Sequence, residues 1–523
     1  MTPTRVHVHD LLAQAAAATP DATALVSRDD TVTYAQTWAI ARAAAAQLQQ
    51  LGLERGDRVA IYLDKRIETV AAMFATSLAG GIFVPINHVL KPAQVAHILG
   101  DSGARVLITS ADRLGQLAQD LPGATLVADV IVVGKSPDGS PAAPRIHLWD
   151  DGQDAAAEPR SCDTIDVDPV AILYTSGSTG RPKGVVLSHR NLIAGAESVS
   201  TYLQNTADDV ILSALPLSFD AGLSQITTAF SVGAAVILMN YLLPHDVPKL
   251  CERHGVTGLT GVPPLWLQVA QVPWPEAAAS RLRYFANTGG RLPRSALDRL
   301  RELFPAAKPY LMYGLTEAFR STYLDPAEVD RRPGSIGRAV PNAEILVLRP
   351  DGTRCAPGEE GELVHRGALV ALGYWNDPER TAERYRLLPH PGQPWRAPER
   401  AVWSGDTVVA DEEGFLSFVG RRDEMIKTSG YRVSPTEIEE AAYSTGLVRD
   451  AVAFGVDDPE LGQRIVLVVA PAAPHLDPAG LHARLRRLLP LFMLPSTIET
   501  RPELPRSPNG KFDRRAIAAG VTA

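Results

Sequence analysis

Short apolar runs recur along this chain, each separated from the next by enough residues for a helix. They read VAIYL (Val59–Leu63), RVLIT (Arg105–Thr109), VIVVG (Val130–Gly134), VAILYT (Val170–Thr175) and AAVILM (Ala234–Met239). Strands that are apolar on both faces belong to parallel sheets covered by helices on either side, because an exposed face would alternate with polar residues. The first intervening run, YAQTWAIARAAAAQLQQLG, carries Thr33 at its start and Gly52 where a left-handed C-cap belongs. This rhythm predicts a mostly parallel α/β fold. With 523 residues the chain exceeds one ordinary domain. After about Ala339 the pattern changes to short strands and turns (EILVL, GELVHRG, GFLSFVG), which predicts a β-rich subdomain. From Asp423 a further unit follows, with a helix at Pro435–Tyr443, strands VAFGV and RIVLVVA, and a basic helix LHARLRRLL. The expected architecture is a large N-terminal domain (1–422) of mostly parallel sheets with a β-rich subdomain, and a small mobile α+β C-terminal domain (423–523). The segment Ser136–Asp166, rich in Pro, Gly, Asp and Ala, reads as a loop.

Composition removes several function classes. Lys and Arg number 51 against 59 Asp and Glu, a net charge of −8, so no basic field exists to hold nucleic acid. No window reaches the ~18 uninterrupted apolar residues of a membrane helix; Val232–Pro244 comes closest and is broken by Asn240. The N-terminal run has two His and an Asp where a signal peptide needs an apolar core. Cys162, Cys251 and Cys355 are too few and too scattered for a disulfide framework or a thiolate metal site. A soluble, cytoplasmic protein is expected.

The strongest local signal lies between two apolar runs: Tyr174-Thr-Ser-Gly-Ser-Thr-Gly-Arg-Pro-Lys-Gly184. Its glycines let backbone approach a polyanion closely, its hydroxyls and N–H groups can face phosphate oxygens, and Lys183 adds charge. The spacing is not that of a Walker A loop.

This segment resembles the signature loop of the adenylate-forming superfamily, which comprises acyl- and aryl-CoA synthetases, peptide-synthetase adenylation domains and luciferases. The resemblance runs in order from about Thr33 to Ile517. Tyr313-Gly-Leu-Thr-Glu317 resembles the second core motif, Ser404-Gly-Asp406 and Gly420-Arg-Arg-Asp423 the ribose and hinge motifs. Ser429-Gly-Tyr-Arg432 and Pro508-Asn-Gly-Lys511 resemble the C-terminal motifs. The family joins a carboxylate to the α-phosphorus of ATP, releases pyrophosphate, and lets a thiol displace AMP. Bringing two anions together demands positive charge and orientation more than an acid–base pair.

The resemblance implies roles for particular residues. Thr175, Ser176, Gly177, Ser178, Thr179, Gly180 and Lys183 would hold the β- and γ-phosphates. Glu317 would bind Mg2+, a hard oxygen donor for a hard cation. Tyr313 would stack on adenine beside the Gly289-Gly290-Arg291 backbone, with Gly314 and Thr316 completing the nucleotide site. Asp406 and Arg421 would contact the ribose. Lys511 would bridge the carboxylate and the α-phosphate, and with Glu317 and Thr175 it forms the catalytic set. Asp423 would be the hinge about which the C-terminal domain rotates, and Gly430 and Arg432 would line the thiol tunnel.

The acid pocket is expected around Phe219, Asp220, Ala221, Gly222, Gly289, Phe319 and Arg320. Phe219-Asp220 resembles the Phe-Asp pair of amino-acid-activating domains, whose Asp pairs with the substrate ammonium. A carboxylate in an apolar pocket is costly unless paired; alternatively Asp220 only caps the helix that follows it. Ala221-Gly222-Leu223 departs from the usual Ala-Ser-aromatic of α-amino-acid domains. The chain is similar to stand-alone enzymes that activate β-amino acids, and small residues at 221 and 222 imply room for an apolar side chain. No fused carrier domain is expected, so the acceptor would arrive in trans, as a carrier protein's phosphopantetheine or as coenzyme A. From residue 424 onward basic and acidic residues balance at 12 each, and Arg484, Arg486 and Arg487 are either a docking face for an acidic carrier or a solvated helix face. The other readings are an acyl-CoA synthetase for acids without an amino group, a non-catalytic adenylate binder, and a luciferase-type monooxygenase.

Overall fold

The structure is a computed structural model that describes residues 4–117, 126–135, 144–152, 158–175, 182–388, 394–421, 425–473, 476–505, 512 and 514–521. The expected helix start at Thr33 forms a full capping box. The Thr33 hydroxyl accepts the Gln36 N–H at 3.2 Å and the Gln36 side chain accepts the Thr33 N–H at 2.8 Å. The helix runs Tyr34–Gln50, and Gly52 turns the chain away at φ +78°.

The apolar runs become the strands of two large sheets. In the first, Arg58–Tyr62 lies between Ile82–Pro85 and Val106–Ser110, all parallel, with Asp129–Val133 beyond them. Pro169–Thr175 continues this sheet in parallel and turns back antiparallel as Lys183–Ser188. In the second, Ala235–Leu238, Val210–Ser213, Gly258–Gly261, Tyr284–Asn287 and Lys308–Tyr313 are parallel neighbours. This sheet then becomes antiparallel through Thr322–Leu324 and Ser335–Ala339. By way of Leu416–Arg421 it runs into the ribbon Ala343–Leu348, Glu360–Gly367 and Glu399–Ala410. The β-rich part after residue 339 therefore extends the second sheet.

Helices Tyr34–Gln50, Ile67–Leu78, His189–Leu203 and Asp220–Val232 share one core with side chains of both sheets. Phe230 is fully buried with Tyr34 and Phe74 at ring distances of 5.4 and 5.2 Å. Truncating such a side chain to alanine costs about 3–5 kcal/mol.

One expected loop is different. Within Ser136–Asp166, Arg145–Leu148 is a parallel edge strand beside Asp129–Val133. Its alternate residues Arg145 and His147 reach the buried Asp129 carboxylate at 2.8 and 2.9 Å. That cross-strand pairing gives so polar a segment a place in the sheet.

Among the described residues the C-terminal unit has its own five-stranded sheet, in which Val448–Asp458 and Gly462–Pro471 form the long pair. Helices Pro435–Ser444 and Pro478–Leu488 pack on it through Ile438, Ala442, Leu481 and Leu485. Among the described residues no helix is long and apolar enough to cross a membrane.

Candidate active site

Parallel strands that end on one side of a sheet place their following loops together, and ligands bind at those carboxyl ends. Here Val210–Ser213 leads to Ser218–Asp220, Tyr284–Asn287 to Gly289, and Lys308–Tyr313 to the turn Thr316–Ala318 that carries Glu317. The hairpin Pro169–Thr175/Lys183–Ser188 pairs Thr175 with Lys183. The loop residues Ser176, Gly177, Ser178, Thr179 and Gly180 lie outside the described residues, as do Asp423 and Lys511; Arg421 is a register partner of Asp406.

At the base of that hairpin Lys183 Nζ stands 3.1 Å from Glu317 Oε1 and donates to the Tyr374 hydroxyl at 2.6 Å. The Tyr374 hydroxyl in turn donates to Glu317 Oε1 at 2.7 Å. Glu317 is 2% exposed. Burial alone would raise its carboxyl; Lys183, with Arg384 and Arg432 nearby, more than reverses this and holds it well below the usual carboxylate range. Burial lowers the Lys183 ammonium, and Glu317 offsets part of that. The result is an ionised, buried carboxylate among cations beside a phosphate-type loop. Close by, Thr175 Oγ1 is buried with no partner among the described residues.

Tyr313 is buried at the end of its strand, and its hydroxyl donates to the Asp406 carboxylate, which ties two residues expected at the nucleotide together. Gly289 sits at φ +74° and is exposed, next to Gly290, whose carbonyl accepts from the buried Asn287 amide at 2.8 Å. Arg291 is exposed.

The acid segment holds the largest departures from expectation. Asp220 is the first residue of helix Asp220–Val232, and the residue in the cap position is Phe219, with no side-chain cap bond. Asp220 thus stands one residue past the cap position. Its Oδ2 accepts from Arg320 Nη1 at 2.9 Å, with Arg320 only 3% exposed. Burial raises the Asp220 carboxyl, against the pull of Arg320. Ala221 and Arg320 line a small cavity with Leu203, Thr228, Tyr284 and Met312.

Two expected pocket residues are packed closely against other parts of the chain. A Cβ on Gly222 would meet the Pro216 carbonyl oxygen at 1.9 Å, so this glycine permits close backbone approach and does not widen a pocket. Phe319 is fully buried against Gly195 of helix His189–Leu203, with φ +52°. The room expected for an apolar side chain is thus not made by Gly222, and the cavity carries a guanidinium.

The C-terminal domain reaches this site. Ser429 and Gly430 have φ +53° and +79°, and a Cβ on Gly430 would meet the Val262 side chain at 2.9 Å. Tyr431 stacks on Phe492 at 3.7 Å and meets Phe219 edge-on, so Phe219 faces the C-terminal unit. The site thus brings together Lys183, Glu317, Asp220, Arg320, Phe219, Gly430 and Arg432. Sequence reasoning missed Tyr374, Asn287 and Arg384; the Gly373-Tyr374-Trp375 triplet after a strand was the available signal for the first.

Comparison with known proteins identifies this arrangement. The model of the AMP-binding enzyme family matches residues 12–375, and that of the AMP-binding enzyme C-terminal domain matches 437–511. An L-proline–[L-prolyl-carrier protein] ligase of Streptomyces coelicolor is 34% identical over 93% of this chain and 92% of its own length. A long-chain-fatty-acid–CoA ligase of Escherichia coli O157:H7 is 30% identical over 97% and 93%. Among solved structures, o-succinylbenzoate CoA synthetase from Bacillus subtilis, bound with its product analogue, matches with TM-score 0.82 and 26% identity over 98% of both chains. VinN in complex with L-aspartate matches with TM-score 0.67 and 28% identity over 80% of this chain and 99% of its own. The chain accordingly belongs to the AMP-binding enzyme family, as an adenylate-forming, AMP-releasing acid–thiol ligase that uses ATP.

Proposed function

We propose that the enzyme activates an amino acid, giving an aminoacyl-AMP and pyrophosphate, and then passes the aminoacyl group to the phosphopantetheine thiol of a separate carrier protein. The observation that carries this reading is Asp220, a carboxyl bonded to Arg320 and next in the chain to Ala221, both of which line the cavity, and able to accept an ammonium beside its Arg320 contact. Support comes from the prolyl-carrier ligase, which acts on an amino acid and a carrier, and from VinN, which binds L-aspartate. Viewed from its side-chain carboxyl, L-aspartate is a β-amino acid, in keeping with a β-amino acid substrate here. ATP and carrier thiols are supplied in the cytoplasm, where the reaction is proposed to run.

In the first step a carboxylate oxygen bonds to the α-phosphorus as the bond to pyrophosphate breaks. Lys183 and the residues from Thr175 onward would hold the departing phosphates, Tyr313 and Asp406 the nucleoside, and Lys511 the two reacting anions. Mg2+ fits the donors present: an ionised buried Glu317 and an unpartnered Thr175 hydroxyl. When bound it supplies charge neutralisation on the phosphates. The boundary at 422/423 would then serve as the hinge that exchanges Lys511 for the turn at Gly430 and Arg432.

The second reading is an acyl-CoA synthetase whose acid has no amino group. Arg320 favours it, because Asp220 already has a resident cation, and the fatty-acid–CoA ligase relative agrees. Pyrophosphate exchange across paired amino and des-amino acids, followed by transfer to carrier protein or coenzyme A, tests the two. Equal rates with and without the amino group would defeat the amino-acid reading.

A further inference from the structure

Far from the adenylation site, His7, His9 and Asp10 bring one ligand-type atom each to within 4.8 Å of one another. His7 Nδ1 is 3.8 Å from Asp10 Oδ2, and His9 Nε2 is 3.9 Å from Asp10 Oδ1. Both spans are too long for hydrogen bonds. They are near the separation of two donors on one ion, because a tetrahedral zinc ion holds nitrogen and oxygen donors about 3.4 Å apart. Binding would draw the three groups inward by about 0.5–1.5 Å.

The remaining hydrogen bonds fix which nitrogens face this gap. His7 Nε2 lies 2.8 Å from the Thr164 carbonyl oxygen, which can only accept, so Nε2 carries the proton and Nδ1 the lone pair. His9 Nδ1 pairs with Ser77 Oγ at 3.0 Å and leaves Nε2 turned to Asp10. Metal-bound histidines are held in this way, with the second ring nitrogen engaged by a carbonyl or another polar group. Asp10 is fixed as well, since its Oδ2 accepts the Val6 and His7 N–H groups, each at 2.8 Å. A role in ordering the start of helix His9–Ala18 accounts for Asp10 but not for two imidazole lone pairs aimed at its carboxylate. His189 flanks His7 edge-on, and its own Nδ1 is taken by the Val8 N–H at 3.0 Å. His9 is buried, whereas His7 and Asp10 are half-buried, which gives an ion a path in from solvent.

We propose that His7 Nδ1, His9 Nε2 and an Asp10 carboxylate oxygen form a site for a divalent transition-metal ion. Two imidazoles and a carboxylate in a four-coordinate arrangement match zinc, with water as the fourth ligand. The ion would fasten the N-terminal segment against helix Ile67–Leu78, through Ser77, and against the segment before strand Pro169–Thr175, through Thr164. That strand, about 20 Å long, separates Thr164 from the Thr175–Lys183 end of the phosphate hairpin. The role is therefore structural and separate from magnesium at Glu317.

The test titrates untagged, EDTA-treated enzyme with zinc alone, without nucleotide. The expected result is one zinc ion bound per chain and a thermal midpoint raised by zinc and lowered again by EDTA. Cobalt(II) in its place should give the visible absorption of a four-coordinate site. His7→Ala and Asp10→Asn should each weaken zinc binding by more than about 10²-fold, the upper end of what loss of a mere supporting partner costs. Asp10→Asn keeps an oxygen for the Val6 and His7 N–H groups, so it serves should His7→Ala fold poorly. Absence of stoichiometric zinc in the wild-type enzyme overturns the proposal, as does zinc binding that survives both substitutions.

Discussion

Tyr431, carried by the C-terminal domain, meets Phe219 of the acid segment edge-on with ring centroids 5.1 Å apart. One contact thus joins the side from which the thiol is proposed to come to the segment proposed to hold the acid. The neighbouring Gly430 has φ +79°, and any Cβ would press on Val262 at 2.9 Å. Gly430→Val should therefore cut thiol transfer by about tenfold or more while leaving pyrophosphate exchange near wild type, since the bulk obstructs only the docked arrangement. Measuring the two half-reactions separately checks this, and an equal loss in both would contradict it.

Lys511→Ala should give the opposite split. Loss of its charge should slow adenylate formation by about 10²–10³, while transfer from a supplied aminoacyl-AMP to the thiol persists. Rapid-quench assays of each half-reaction decide the point; loss in both would count against the exchange of lysine for the Gly430 turn.

Asp220→Ala removes the anion beside Arg320 and the proposed partner of the ammonium. Breaking such a buried pair costs roughly 3–5 kcal/mol, so kcat/KM for the amino acid should fall by 10²–10³ or more, with KM for ATP little changed. The preference for 3-aminobutanoate over butanoate should vanish. A folded variant that keeps that preference would show that another residue reads the amino group.

Tyr374→Phe deletes the hydroxyl that links Lys183 and Glu317 and keeps the ring. Each charged group loses one hydrogen bond, worth about 1.5–3 kcal/mol for a bond to a charged partner. The expected outcome is about a tenfold or larger fall in exchange rate with a higher Mg2+ requirement and an unchanged far-UV spectrum. A magnesium titration at saturating ATP measures it, and an unaltered titration would remove Tyr374 from the site.

Glu437 supplies a pH dependence. It sits at the start of helix Pro435–Ser444, where Gln94 of the N-terminal domain donates to it at 2.7 Å. Burial against that domain raises its carboxyl from 4.5 to about 7, with Glu440 adding to the rise and Gln94 opposing it. A raised value means that the docked arrangement binds the proton more tightly. Its contribution is therefore complete below about 4.5, the carboxyl's ordinary value, and is lost as pH rises through about 7. Thiol transfer relative to pyrophosphate exchange should decline from pH 6 to pH 8 in the wild-type enzyme and stay level in Glu437→Gln. A decline in both would assign the effect to another group.

What could be read in the sequence was what depends on neighbours along the chain. Thr33 and Gln36 cap a helix three residues apart, and apolar runs become buried strands whatever lies far away. Glu317 was legible because it ends a motif, and the phosphate hairpin because its two strands are contiguous. The relations around the proposed acid pocket were not. Asp220 and Arg320 are 100 residues apart, and only the two strand ends that carry them bring them together. Gly222 looked like an opened pocket because a sequence cannot show that the Pro216 carbonyl already fills that space. Arg145 and His147 looked like loop residues because their partner, Asp129, lies on the neighbouring strand.

The Asp220–Arg320 pair also bears on how such an enzyme can diverge. A lineage that alters either residue first must pass through an ancestor carrying one lone charge inside the protein. That intermediate is handicapped in folding before any new preference can be selected. Descendants are then expected to keep both residues or to have replaced both, and laboratory evolution toward uncharged acids should succeed from libraries that randomise the two codons together and stall when they are varied one at a time.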